Sequence, residues 1–463
     1  MKKFLHLVMV AILLMVMLIF VACGNSNKQL TKKDFLNDFD YLMKTMEDTF
    51  PYFGVAERRF GVDIRALGKE TRDMIENYPN SLEGYANEQG IDLEDMPDLD
   101  EHIFWSIIRH EFFSHFAGLA HAYPLDSGLY KLFQPQYLSR QSPFYTSDNY
   151  HAFTNSVSQR FYKEQEALFN TLVEEEEALF QFIFRGYPQI QLTDRTVNTE
   201  IIEEDKIAYL EVPSFMNFYT STTSELAKFY RDIQGYEHLI IDIRDNSGGS
   251  PDLWRMLIMK PLWADGKNMP DMPLFAFHRG TKLGKSLGEK NLKMEGQHTR
   301  NVPETEHLLP AKEIIETNNL LHINEDDIVD LAYGVKFNTS ISNIDEWYVR
   351  QAGILNYYPF NGQIWLLTNG NNFSGSALFA RHAKEMGFAT LVGEETGGAY
   401  TTSSAGSFFT LPKTGIILRW DIDYLTDSDG RALNEFPTTP HHLNRPGIDA
   451  LETVLQLIEE DSF

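Results

Sequence analysis

Apolar residues from Thr31 onward recur at spacings of three and four, at Phe35, Phe39, Leu42, Met46 and Phe50, and Pro51 follows at once. That period predicts a helix with one buried face, stopped by the proline. The same pattern predicts a second helix from about Val62 to Glu76, broken at Tyr78-Pro79-Asn80. An acidic, irregular stretch over 81–101 comes next, then a buried helix from Ile103 to Phe116 that stops at Gly118. Residues 31–118 therefore read as a small helical N-terminal domain. The rest, 119–463, reads as an α/β core with an insertion around 262–360. A charged helix is expected from about Arg160 to Phe184, its acidic run Glu174 to Glu177 forming a solvated face.

Past residue 205 the pattern changes to short apolar runs bounded by turn residues. Lys206 to Val212 reads as a strand, Thr223 to Gln234 as a helix and His238 to Ile243 as the next strand. That strand runs into Arg244-Asp245-Asn246-Ser247-Gly248-Gly249-Ser250, a Gly-rich turn of the kind on which α/β folds place their sites. Neither dinucleotide nor P-loop glycine spacing is present, so a phosphate cradle is discounted. A buried strand, Ile364 to Thr368, is followed by Asn369-Gly370-Asn371-Asn372 and by Phe373-Ser374-Gly375-Ser376, which opens a helix ending at Gly387. Ser374 thus falls on a strand-to-helix turn, where a hydroxyl is exposed and the following N–H groups are free. Another strand, Phe388 to Val392, delivers Gly393-Glu394-Glu395-Thr396-Gly397-Gly398. Further strands are expected at Pro273 to His278, near Phe408 and at Ile416 to Trp420. A turn at Asp427 to Gly430 and a last helix from Asp449 to Glu460 complete the pattern. Leu411-Pro412-Lys413-Thr414-Gly415 spells a cell-wall sorting pentapeptide, but no apolar tail follows it, and it reads as part of a β-hairpin.

Composition narrows the function classes. Hydrophobic residues make up 43% and charged residues 23% of 463, ordinary for a globular chain. The net charge of −26 argues against nucleic acid as a partner, because phosphates would be repelled. The single cysteine excludes a disulfide framework. Cys23 lies after Lys2-Lys3, an apolar run from Leu7 to Ala22, and small Ala22 itself, the order of a signal peptide and its cut. Residues 1–22 then form the signal peptide and 23–30 a tether. The arrangement resembles the lipobox of bacterial lipoproteins, in which the thiol is lipidated, and it implies a protein anchored on the extracytoplasmic face of the cell membrane. Phe20 departs from the more usual Leu.

Three turns, Asp242-Ile243-Arg244-Asp245-Asn246-Ser247-Gly248-Gly249, Phe373-Ser374-Gly375-Ser376 and Gly393-Glu394-Glu395-Thr396-Gly397-Gly398, resemble those of the tail-specific (C-terminal-processing) and tricorn-like serine peptidases, in the same order. The strand Tyr209 to Phe215, the turn Gly118 to Ala122 and the stretch Asp429-Gly430 to Pro440 fit as well. The resemblance implies a Clp protease–crotonase fold, a spiral of β-β-α units, acting on a peptide or protein substrate without cofactor or metal. It makes Ser374 the nucleophile. Tail-specific members use a lysine where this chain has Ala399, so the base implied is the tricorn-like histidine, His121, with Glu435 supporting it. Two N–H donors must face one oxyanion. Gly375 and either Gly248 or Gly249 are the candidates. His382 lies about 12 Å along its helix from Ser374 and is too far to serve.

Departures from the family pattern keep alternatives open. Ala120 precedes His121 where relatives carry a hydroxyl, Gly or Asp, and Ala377 stands where many have Glu. No PDZ-like segment with its Gly-Asp pair lies between His121 and Lys206. A non-catalytic ligand- or peptide-binding lipoprotein on the same fold, or an esterase using the same triad, would carry the same residues.

Overall fold

The computed structural model describes residues 29–461 except 89, 141, 143–144, 176, 185–196, 217–219, 265–269, 296–300, 340–356 and 403–405. The expected signal peptide, Cys23 and most of the tether lie outside the described residues, as do the side chains of the acidic run 174–177. No helix among the described residues is long and apolar enough to cross a membrane.

The strands, in chain order, are β1 (Tyr123–Pro124), β2 (Asn198–Glu203), β3 (Ile207–Glu211), β4 (His238–Asp242), β5 (Met272–Arg279), β6 (Asn301–Pro303), β7 (Leu309–Pro310), β8 (Leu331–Thr339), β9 (Gln363–Thr368), β10 (Thr390–Gly393), β11 (Phe408–Thr410), β12 (Ile417–Arg419), β13 (Tyr424–Thr426) and β14 (His442–Leu443). The central sheet runs β14-β10-β9-β4-β3-β2. Its pairings are parallel except at the edge, where β2 runs antiparallel to β3. Strands buried on both faces carry near-continuous apolar runs, and β4 and β9 do so. Along them the side chains alternate between two cores. Leu239, Ile241, Ile364 and Leu366 pack with the helices Thr220–Asp232 and Gly375–Glu385. Ile240, Trp365 and Leu367 pack on the other side with Val454 and Ile458 of the last helix, Ala450–Asp461. Each such side chain contributes roughly 1.5–3 kcal/mol by leaving water.

The first helix, Lys32–Thr49, buries the expected stripe of Phe35, Phe39, Leu42 and Met46. The helix before Gly118 changes character along its length, from an α-helix (Glu101–Ile107) through a π turn (Ile108–Phe112) to a 3₁₀ turn (Phe113–Phe116). A helix not foreseen from the pattern, Phe53–Phe60, lies between Pro51 and the helix Ile64–Asn77. The helical N-terminal region packs into one apolar cluster with residues 411–424. The grip on that segment is specific. Trp420 Nε1 donates to Thr49 Oγ1 at 2.9 Å, and Tyr52 Oη donates to the Asp423 carbonyl at 2.7 Å. Buried Asp38 accepts the amides of Lys413 and Thr414 in the β11–β12 hairpin, the location expected for the pentapeptide.

Two regions differ from the expected pattern. Residues 262–360 contain helical pieces and β5 as expected, but also β8, which pairs antiparallel with β5 in a second sheet, β13-β5-β8-β6. The charged helix is present as Ser156–Glu175 and Glu177–Phe184, with residue 176 outside the described residues. Two further helices that the pattern did not announce, Ser127–Leu138 and Ser147–Thr154, precede it.

Candidate active site

The nucleophile turn is built by three turns at the C-terminal ends of β4, β9 and β10. Asn372 donates to the Ile243 carbonyl, and its own carbonyl accepts Gly397 N–H at 2.8 Å. Asn246 donates to the Val212 carbonyl and accepts Gly248 N–H, both at 2.8 Å. Ser376 Oγ donates to the Asn246 carbonyl and accepts the Phe373 N–H at 2.9 Å. Asp245, whose carboxylate accepts from Asn369 and Asn371, is held below the usual carboxylate range by those bonds. Gly248 rests on the turn so closely that a Cβ there would meet Phe373 O at 2.4 Å and Ser374 Cβ at 2.9 Å.

Ser374 itself has φ 54° and ψ −119°, a conformation that costs a non-glycine residue about 1–3 kcal/mol. It persists because both of its backbone groups are engaged. Its N–H donates to the Gly398 carbonyl at 2.9 Å, and its carbonyl accepts Leu378 N–H at 3.0 Å. Its side chain is half-buried. Of the three candidate glycine donors, Gly248 has its N–H committed to Asn246. No hydrogen-bond acceptor is found for Gly249 N–H or Gly375 N–H among the described residues. The two are neighbours, since a Cβ on Gly375 would sit 3.2 Å from Gly249 N.

His121 arrives from the helical region. β1 pairs antiparallel with β12, Tyr123 opposite Arg419, and the same register carried two residues further sets His121 opposite Asp421. Asp421 N–H donates to the Ala120 carbonyl at 2.8 Å, which extends that pairing. Ala120 and His121 both have left-handed φ, 50° and 49°, and this sharp turn presents the imidazole to Asp421. His121 Nδ1 lies 2.8 Å from Asp421 Oδ2, with both side chains buried. The His121 imidazole is held below its ordinary pKa, first by burial, against the pull of Asp421 and with the buried Arg419 guanidinium opposing protonation. It is therefore neutral at pH 7, as a base must be. Its ring stands edge-on to Phe373, with centroids 5.2 Å apart. The imidazole is beside the nucleophile turn, yet no hydrogen bond joins it to Ser374 Oγ among the described residues.

Glu435 does not bond the imidazole among the described residues. Both of its oxygens accept from Arg58, at 2.7 Å each, and Arg58 also binds Asp327. The carboxylate on the imidazole is Asp421, not the expected Glu435. A cue was present in Trp420-Asp421-Ile422-Asp423: two acids inside an apolar run must be paired if the run is buried. His382 bonds the Leu378 carbonyl of its own helix, is buried, and is lowered to about 3. Among the described residues no group of three or more His, Cys, Asp or Glu is placed to hold a metal ion.

A strained serine at a strand-to-helix turn, two glycine amides beside it and a buried His–Asp pair are the kinds of group that hydrolysis by a serine nucleophile requires. Residues 206–443 match peptidase family S41, and the chain belongs to that family. It is a serine-type peptidase of mixed α/β architecture with the Clp protease–crotonase-like fold, acting on a peptide or protein substrate. Its structure is similar to that of mature CPAF in complex with lactacystin, at 12% identity over 93% of this chain and 97% of that one, TM-score 0.48. It is similar also to a lipoprotein from Streptococcus agalactiae, at 15% identity over 73% and 97%, TM-score 0.36. The photosystem II D1 C-terminal processing protease is similar at 15% identity over 58% and 53%, TM-score 0.31. No curated protein matches the chain in sequence.

Proposed function

We propose that this peptidase cleaves peptide bonds with Ser374 as nucleophile, His121 as base and Asp421 as the carboxylate that orients the imidazole. The observation that carries the reading is the buried 2.8 Å His121–Asp421 bond beside the Phe373-Ser374 turn. Asp421 holds the proton of neutral His121 on Nδ1, leaving Nε2 as the basic atom. Ser374 Oγ adds to the scissile carbonyl carbon and its proton passes to Nε2. The oxyanion takes the N–H groups of Gly375 and Gly249, and removing one such donor costs about 2.7–4 kcal/mol. The imidazolium then protonates the leaving amine, and water hydrolyses the acyl-enzyme by the same route. The bond from His121 to Ser374 forms with substrate in place, since catalytic hydrogen bonds often tighten only in the complex. Gly248 serves as packing rather than as a donor, and Glu435 fixes Arg58. A fluorophosphonate probe should label the full chain at Ser374, read as one modified peptide by mass spectrometry, and should leave Ser374→Ala unlabelled. Labelling elsewhere, or none, would defeat this reading.

The same proposal places the enzyme on the extracytoplasmic face of a bacterial membrane, held by lipid on Cys23. The charged start, the apolar run and Ala22 before the only cysteine support it. Mass spectrometry of protein extracted from membranes should find Cys23 lipidated at the N-terminus; mature protein that retains Met1 would count against it.

A further inference from the structure

Behind the His121–Asp421 pair lies a second buried carboxylate. Asp423 follows Asp421 by two residues and is fully buried. Its Oδ1 accepts Thr401 Oγ1 at 2.8 Å, and its Oδ2 accepts Thr402 N–H and Thr402 Oγ1 at 2.7 Å each. Thr401 and Thr402 continue the loop whose Gly398 carbonyl receives the Ser374 N–H. The carboxylate therefore bridges the nucleophile's loop and the segment that orients the base. Asp421 Oδ1, buried, has no hydrogen-bond partner among the described residues. We propose that Asp423 is a positioning residue of the hydrolytic centre, fastening the Thr401–Thr402 loop to the Asp421 segment and setting a second negative charge behind the Asp421–His121 pair. The inference rests on the Ser374–His121 reading.

The groups around Asp423 agree with that role. Asp421 and, beyond it, His121 face it along its own segment. From the helical region the neutral Tyr52 phenol bonds the Asp423 carbonyl, and from β5 His278 bonds the Ile422 carbonyl. Arg419 lies past Asp421, stacked among Tyr123, Phe133 and Phe408, and no cation pairs with Asp423 among the described residues. Burial first, and the Asp421 charge second, raise Asp423 to about 7, against the Thr401 and Thr402 bonds. Its ionisation thus follows the deprotonation of His121, which burial has moved lower. Once ionised it stabilises the imidazolium that forms as Ser374 attacks.

The rate of Ser374 labelling by a fluorophosphonate, followed against pH, tests this. In the wild type it should climb in two steps, the first below pH 6.5 and the second, roughly three- to tenfold, near pH 7. Asp423→Asn, which keeps the shape and removes the charge, should abolish the upper step and leave the lower plateau. Thr401→Val removes a bond to the charged form and should move the upper step to higher pH, and it decides the matter if the Asn variant does not fold. A merely structural Asp423 would change amplitude without changing the profile. If the profiles of the variants coincide with that of the wild type, the inference is overturned while the hydrolytic reading stands. If the wild type is not labelled at Ser374 at any pH, that reading fails first.

Discussion

Ser374→Ala and His121→Ala should each lower peptide hydrolysis by roughly 10⁶-fold, and the double variant should fall no further. The reason is that nucleophile and base act as one unit. Without the imidazole the hydroxyl keeps its proton, and without the hydroxyl the imidazole has nothing to activate. Residual turnover would come from the oxyanion donors and from binding. Initial rates on a defined peptide pool, followed by mass spectrometry, measure it. Losses of only a few-fold in either variant would mean that another group supplies the nucleophile or the base. Ser374→Ala is a small change for the fold, since Ser374 is half-buried and its turn is held by backbone groups and by Ser376.

The second large effect separates two carboxylates. Asp421→Asn should cost about 10⁴-fold in turnover, because an amide can donate to Nδ1 and so stabilise the tautomer with its proton on the wrong nitrogen. Glu435→Gln should leave turnover within a few-fold of the wild type. Its carboxylate faces Arg58, which keeps Asp327 as a partner, and the loss is one of stability, about 0–1 kcal/mol for a pair this accessible. The reverse ranking of the two variants would restore Glu435 as the orienting group and leave the 2.8 Å bond to Asp421 without a catalytic part.

That contrast also marks where reading the chain alone stops. Ser374 was legible because its surroundings are local: a buried strand, a turn and a helix start fall within a dozen residues. The parallel strands β3, β4, β9 and β10 were legible for the same reason, as apolar runs between turns. The stripe Phe35 to Met46 announced its helix through its period. Asp421 was not legible. Its partner is 300 positions away, joined by the register of two short strands, and nothing in the order of residues displays a register between distant segments. Glu435 fitted the family pattern in sequence, but the competing claim of Arg58, 377 positions away, exists only in the fold. β8 escaped because its apolar alternation is interrupted at Gly334 and its partner strand lies some sixty residues earlier. Local chemistry could be read directly; pairings between distant segments could not.

The central claim is that an acylated Ser374 is served by His121 on one side and by two backbone amides on the other. A structure of the fluorophosphonate adduct tests it most directly. The account predicts His121 Nε2 within about 2.6–3.2 Å of the Ser374 oxygen or the adduct oxygen beside it. Nδ1 should remain on Asp421, and the phosphoryl oxygen should accept the N–H groups of Gly375 and Gly249. An adduct in which the imidazole stays against Phe373 out of reach of that oxygen, or in which Glu435 has left Arg58 to take Asp421's place, would contradict it.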